Sequence, residues 1–102
     1  MSLDVTRAEH PAHEARQRLE HARASRLAQL QALDESGQGD AHLLSEQRTA
    51  MRRVLKEIDE AFARIDEGTY GTCQGCAKPV PAERLEILPY TRYCVACRRR
   101  AL

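Results

Sequence analysis

The residues of this chain best suited to chemistry are its four cysteines, which form two pairs, Cys73 with Cys76 and Cys94 with Cys97. The pattern C-x2-C-x17-C-x2-C has the spacing of a four-cysteine zinc site. A two-residue gap lets both sulfurs of a tight turn point toward one ion, and Gly75 suits such a turn. Because all four positions are cysteine, no coordination site is left for water, and the pattern predicts one structural Zn²⁺.

Disulfides and a redox-active cysteine pair are the alternatives to zinc. Disulfides are disfavoured because no charged-then-apolar leader opens the chain, and we therefore expect a cytoplasmic protein in a reducing compartment. A catalytic C-x-x-C would need a strand–helix unit beside it, which the sequence does not show. Structural zinc is the prediction that follows.

The composition favours helices over a deep globular core. The chain has 102 residues, of which 42% are hydrophobic and 30% charged, with one Phe, three Tyr and no Trp. Its formal net charge of +1 does not by itself predict a nucleic-acid partner. No apolar run approaches the roughly 18 residues of a membrane span, so we expect no membrane partner.

Two long helices are predicted before the first cysteine. Pro11 suits the first turn of a helix that runs to about Leu33, which makes residues 1–11 an irregular leader. The segment "DESGQGDA" then breaks the helix with two glycines. A second helix ends at Gly68 and carries a heptad repeat of Leu44, Met51, Ile58 and Ile65.

The predicted fold is mainly α, with an antiparallel coiled-coil hairpin over residues 12–68 and its turn, or tip, near residues 34–41. A turn near Gln38 and Gly39 would place Leu19 opposite Ile58, and each arm would be about 33 Å long at ~1.5 Å per residue. A helical bundle and a coiled coil that dimerises through the same stripe are the alternatives. A short connection with glycine favours antiparallel neighbours, so we expect a monomer.

Residues 69–102 are predicted to form a separate small module whose core is the metal site. Between the two cysteine pairs, Pro79, Pro81 and Pro89 bracket "AERLEI", which is typical of one short helix. A short C-terminal helix completes the module.

The sequence contains two charged patches of opposite sign. The acidic patch near the tip comprises Asp34, Glu35 and Asp40, and the basic patch at the end of the chain comprises Arg98, Arg99 and Arg100. The acids are either solvated turn residues or contacts for a partner. The arginines either offset the two negative charges of a zinc ion bound by four thiolates, or contact phosphate or a partner.

The segment "RIDEGTYGTCQGC", followed by "VPAERLEILPYTRYCVAC", resembles the DksA/TraR family of bacterial C4 zinc-finger proteins over residues 64–97. Two features differ from the family. Ala77 stands where the family more often has Gly, and "DESGQGDAHL" does not reproduce the tip pattern D-x-x-D-x-A of active members.

The resemblance implies a transcription regulator that binds RNA polymerase directly rather than reading DNA sequence, so no sequence-specific DNA binding is expected. In such proteins the hairpin enters the secondary channel of the polymerase, the acidic tip approaches the active-site region, and some members act together with ppGpp.

Two other functions are compatible with the residues. One is a nucleic-acid-binding zinc finger that uses the basic patch and Lys78, and the other is a protein-interaction or stress-sensing module with no role at the polymerase. Phosphate contacts would make binding strongly dependent on salt, which distinguishes the first. No serine–histidine–aspartate pattern, phosphate loop or carboxylate pair is evident, so we do not expect an enzyme.

Overall fold

The computed structural model describes the backbone of residues 2–36 and 41–101, and the side chains of residues 12–35 and 41–100. Its helices are α1 (Ser2–Ser36), α2 (Ala41–Glu67), α3 (Ala82–Ile87) and α4 (Val95–Ala101). The prediction of a mainly helical fold is confirmed, as are the short helix "AERLEI" and the C-terminal helix. None of the helices in the described residues combines the length and apolar character needed to cross a membrane.

The first helix begins much earlier than predicted. The prediction of an irregular leader over residues 1–11 is wrong for residues 2–11, whose backbone is helical. Pro11 lies inside α1, where its missing N–H removes one hydrogen bond to the carbonyl of Arg7. Residues 2–10 contain no glycine or other proline, so nothing in their sequence ends the helix on that side.

Ion pairs between α1 and α2 show that the two helices run antiparallel. They join Arg16 Nη2 to Asp66 Oδ1 at 2.7 Å, Arg23 Nε to Asp59 Oδ1 at 3.1 Å, and Arg48 Nε to Asp34 Oδ1 at 2.7 Å. A step of seven residues forward in α1, from 16 to 23, matches a step of seven backward in α2, from 66 to 59. The hairpin is therefore regular along its length. Its turn, at residues 37–40, lies outside the described residues.

The hairpin's hydrophobic core lies at its base, beside the cysteine-containing module. Its buried members are Ala15, Leu19, Ile58, Ala61 and Ile65. Leu19 and Ile58, which were predicted to face each other, are both 0% exposed. Among the described side chains, α1 has no fully buried residue beyond Leu19, and α2 has none before Ile58. The distal half of the hairpin is held by half-buried side chains and exposed ion pairs, which contribute ~0–1 kcal/mol each.

The end of α2 fixes where the module begins. Gly68 adopts a φ of +80°, and its N–H donates to the carbonyl of Ile65 at 3.2 Å. The N–H of Thr69 reaches back to the carbonyl of Arg64 at 2.9 Å. These two bonds form a Schellman motif. Glycine is favoured at the position of Gly68 because residues with a Cβ atom are strained at this φ. The prediction that Gly68 ends the second helix is confirmed.

Candidate metal centre

The structure brings all four cysteines together. The Sγ atoms of Cys73, Cys76, Cys94 and Cys97 lie within 4.8 Å of one another, and all four are free thiols. The Sγ atoms of Cys76 and Cys94 are 3.9 Å apart. A tetrahedral zinc ion with bonds of ~2.3 Å places its sulfur ligands about 3.8 Å apart. The donor set and its spacing are consistent with one structural zinc ion.

Backbone hydrogen bonds shape the first cysteine turn and tie it to the second. The N–H of Ala77 donates to the carbonyl of Cys73 at 2.8 Å, and the N–H of Cys73 donates to the carbonyl of Lys78, also at 2.8 Å. The N–H of Gln74 donates to the carbonyl of Arg92 at 2.8 Å. The sulfurs are therefore positioned by the main chain of two turns that are bonded to each other.

The main chain also favours ionisation of part of this sulfur cluster. The N–H groups of Cys94 and Gly75 lie 3.3 Å from Cys73 Sγ, and the bond from Cys94 above all lowers the pKa of Cys73 to about 6. The N–H of Cys97 lowers the pKa of Cys94. The pKa of Cys97 is raised to about 12, mainly because its thiol is hydrogen-bonded to Cys73. A zinc ion deprotonates the thiols that bind it, so binding would release protons and weaken as the pH falls.

Gly75 is required by the close packing of the two turns. A Cβ atom at this position would lie 2.9 Å from Cys97 Sγ and 3.0 Å from Cys97 Cβ. Any side chain here would push one turn away from the other and spread the sulfurs. The glycine thus permits a sulfur spacing suited to one ion, a role that the sequence had suggested only as the ability to bend.

Ala77 is strained, and this provides a prediction. Its φ is +63°, a left-handed conformation that costs L-residues about 1–2 kcal/mol and glycine nothing. Because the Ala77 side chain is exposed, Ala77→Gly removes this strain without opening a cavity. We expect the variant to be more stable by about 1 kcal/mol, measured by denaturation of the zinc-loaded protein.

The matched control for Ala77→Gly is Ala96→Gly. Ala96 is also exposed but lies in helix α4, where glycine costs about 0.5–1 kcal/mol relative to alanine. The two substitutions should change the stability in opposite directions. A loss of stability in both would show that the conformation of Ala77 is not strained.

The predicted acidic patch is only partly described. Asp34 and Glu35 are exposed near the end of α1, while Asp40 lies outside the described residues. Asp34 is not simply solvated, because its carboxylate accepts a hydrogen bond of 2.7 Å from Arg48 Nε. Sequence analysis did not find Arg48, although an arginine facing an aspartate across an antiparallel pair was a possible signal.

The predicted basic patch lies in α4, with Arg98, Arg99 and Arg100 all exposed. Three further arginines that share a cleft with Arg98 were not found from the sequence. A cleft of about 310 Å³ between α2 and the module is lined by four arginines: Arg53, Arg84, Arg92 and Arg98. Arginine binds carboxylates and phosphates through paired N–H groups, although Glu57 also lines this cleft and Arg84 Nε donates to the carbonyl of Tyr93 at 3.0 Å.

Arg64 is the buried charged residue of the described chain, with only 6% of its surface exposed. Sequence analysis did not single it out. A signal was nevertheless present, because Arg64 lies beside Ile65, a position of the predicted heptad repeat. Its Nη2 atom lies 3.4 Å from the carbonyl oxygens of both Tyr90 and Thr91, which belong to the module.

Comparison with known proteins places the module in a family. Residues 68–101 match the family described as the prokaryotic dksA/traR C4-type zinc finger. The chain is 31% identical over 65 residues to the RNA polymerase-binding transcription factor DksA of Caulobacter vibrioides, covering 64% of this chain and 46% of that protein. It is 41% identical over 44 residues to general stress protein 16O of Bacillus subtilis, covering 43% of this chain and 27% of that protein. The chain thus spans less than half the length of these two relatives.

A solved structure shares the fold over most of the chain. It is that of the RNA polymerase binding protein and transcriptional regulator Dks from Chlamydia trachomatis, with a TM-score of 0.62 and 22% identity, covering 90% of this chain and 87% of that one. The predicted helical hairpin joined to a cysteine module is therefore an arrangement seen in a known protein. Together with the sulfur cluster, these matches confirm the resemblance found in the sequence: residues 68–101 form a zinc finger of the DksA/TraR C4 type.

Proposed function

We propose that this chain is a non-enzymatic transcription regulator that binds RNA polymerase directly as a monomer. It would place the tip of its hairpin in the secondary channel of the polymerase, with zinc as a structural support. The observation that carries this proposal is the combination of a DksA/TraR zinc finger with an antiparallel hairpin that precedes it directly. Relatives that match this chain are named as RNA polymerase-binding transcription factors.

The shape of the molecule supports insertion of the hairpin. The molecule measures 57 × 33 × 21 Å along its principal axes. The finger lies at the base of the hairpin, where Tyr70 and Tyr90 pack on the core, whereas the Asp34–Arg48 pair lies toward the other end. An elongated body with Asp34 and Glu35 far from its metal centre is suited to reaching into a narrow channel and acting there by charge.

The acids of the patch are not equivalent in this proposal. Arg48 neutralises Asp34 in part, because the pair is only 2.7 Å apart and the arginine side chain is 30% exposed. Glu35 is exposed on the neighbouring position. We therefore propose that Glu35 and Asp40 supply most of the negative charge that acts on the polymerase. Asp34 instead holds the two helices together near the tip, through its ion pair with Arg48.

Run-off transcription with purified polymerase tests this assignment. The variant carries Asp34→Asn, Glu35→Gln and Asp40→Asn together. We expect it to keep its zinc and its helicity, because exposed ion pairs contribute only ~0–1 kcal/mol. Its effect on transcript yield should fall by about tenfold or more, which corresponds to ~1.4 kcal/mol of lost tip interaction.

The matched control for this variant removes three exposed carboxylates near the base, with Glu20→Gln, Glu67→Gln and Glu83→Gln together. It changes the net charge equally and should keep the effect on transcription. Loss of the effect in this control, with retention in the tip variant, would refute the tip assignment. Recovery of no polymerase in a pull-down, or binding unchanged when the channel is closed by a crosslink, would refute the proposal itself.

A nucleic-acid-binding finger is the second candidate, and the arginine-lined cleft and the basic patch favour it. Contacts to phosphates would release counterions, so binding should weaken steeply as salt rises. A gel shift that is absent or insensitive to salt would exclude this function. The same cleft could also hold the phosphates of ppGpp, the co-regulator implied by the resemblance, and the transcription assay is therefore run with and without this nucleotide.

A further inference from the structure

Arg64 lies at the junction between the hairpin and the zinc finger. Its guanidinium is buried, and its Nη2 atom reaches the carbonyl oxygens of Tyr90 and Thr91 at 3.4 Å each. Burial, followed by the nearby charge of Arg92, lowers the pKa of Arg64, although an arginine stays protonated at neutral pH. A buried cation requires acceptors, and the finger supplies both of these.

The main-chain carbonyl of Arg64 contacts the finger at the point where the chain enters it. This carbonyl accepts the N–H of Thr69 at 2.9 Å and the N–H of Tyr70 at 3.1 Å. The hydroxyl of Tyr70 then donates to the carbonyl of Pro89 at 2.7 Å, which links the entering segment to the returning one. One residue of α2 therefore contacts the finger where the chain enters it and where the chain returns to the hairpin.

The returning segment, residues 90–94, leads from Arg64 to the sulfur cluster. The carbonyl of Arg92 accepts the N–H of Gln74 from the first cysteine turn at 2.8 Å. The N–H of Cys94 reaches the sulfur of Cys73 at 3.3 Å. The segment that accepts hydrogen bonds from Arg64 at one end thus carries a cysteine of the cluster at its other end.

We propose that Arg64 is a positioning residue that couples the zinc finger to the hairpin, so that zinc binding orders the last turns of α2 as well as the finger. Zinc bound to Cys73 and Cys94 would fix residues 90–94, whose carbonyls are the acceptors for Arg64. The finger would then hold the hairpin in one orientation. This coupling belongs to the chain itself and holds or fails independently of polymerase binding.

Hydrogen exchange of the full chain tests the coupling. Protein loaded with zinc is compared with protein treated with a chelator under reducing conditions, and the peptide covering residues 58–67 is followed by mass spectrometry. In the native chain we expect zinc to slow exchange in this peptide by about tenfold or more, since it orders a cooperative unit. In Arg64→Met, metal analysis should still find one zinc, but the slowing at residues 58–67 should fall below about threefold.

Arg52→Met is the matched control, because Arg52 lies in the same helix and is exposed. It should show the zinc-dependent protection of the native chain. Equal protection in Arg64→Met and the native chain, or no zinc-dependent protection in the native chain, would overturn the proposal. If circular dichroism shows that Arg64→Met is unfolded, Arg64→Lys replaces it, since lysine keeps the positive charge but lacks the guanidinium that reaches both carbonyls. That variant should lose part of the protection, and full protection in it would equally overturn the proposal.

Discussion

Replacing Cys73 with alanine is expected to weaken structural zinc binding by more than about 100-fold and to unfold the finger. Structural zinc in small fingers binds with about 10–16 kcal/mol, so removing one of four thiolates costs roughly 3 kcal/mol, or more than 100-fold in affinity. Cys73 is also 1% exposed and belongs to the finger's small core with Val80 and Cys97. The zinc content after competition with a chelator, and the hydrogen exchange of residues 69–101, measure the two effects.

The neighbouring Thr72→Ala provides the control for Cys73→Ala, because Thr72 is exposed and contributes no sulfur. Its zinc affinity should stay close to that of the native chain. Treating the native chain with a strong chelator should reproduce the exchange pattern of Cys73→Ala. One equivalent of zinc retained by Cys73→Ala, at a chelator concentration that the native chain also withstands, would contradict the assignment of this cysteine as a ligand.

Features that depend on local chemistry could be predicted from the sequence. The spacing of the cysteines indicated a metal module because two short turns suffice to aim four sulfurs at one point. Gly68 marked the end of α2 because a left-handed cap favours glycine. The helix "AERLEI" was predictable because prolines bound it on both sides. In each of these cases a few neighbouring residues determine the structure.

Features that depend on contacts between distant residues were not predictable in the same way. The heptad repeat suggested an even seam from Leu44 to Ile65, yet Leu44 and Met51 are only half-buried. Two helices alone leave the edges of their seam open to water. Full burial is reached at the base, where Tyr70 and Tyr90 of the finger also pack on the cluster. A heptad pattern does not reveal that residues from another part of the chain cover one end of the seam.

The core at the base leads to the second prediction, Leu19→Ala. The Leu19 side chain is 0% exposed and packs in the cluster that contains Ile58 and Ala61. Truncating a buried leucine costs about 2–5 kcal/mol, which includes the cavity it leaves. A domain of this kind has roughly 5–15 kcal/mol of stability in total. We therefore expect a large drop in the denaturation midpoint of the zinc-loaded protein, with the helices separating first at the base.

Leu30→Ala is the matched control, since Leu30 lies on the same helix but is only half-buried in the distal part of the hairpin. It removes the same atoms, but Leu30 buries less apolar surface on folding than Leu19 does. We therefore expect Leu30→Ala to lower the free energy of unfolding by only about 1 kcal/mol. Equal losses at the two sites would show that the core extends along the whole hairpin. A much larger loss at Leu19 would show that the hydrophobic core is concentrated at the base of the hairpin, where Tyr70 and Tyr90 also pack on it.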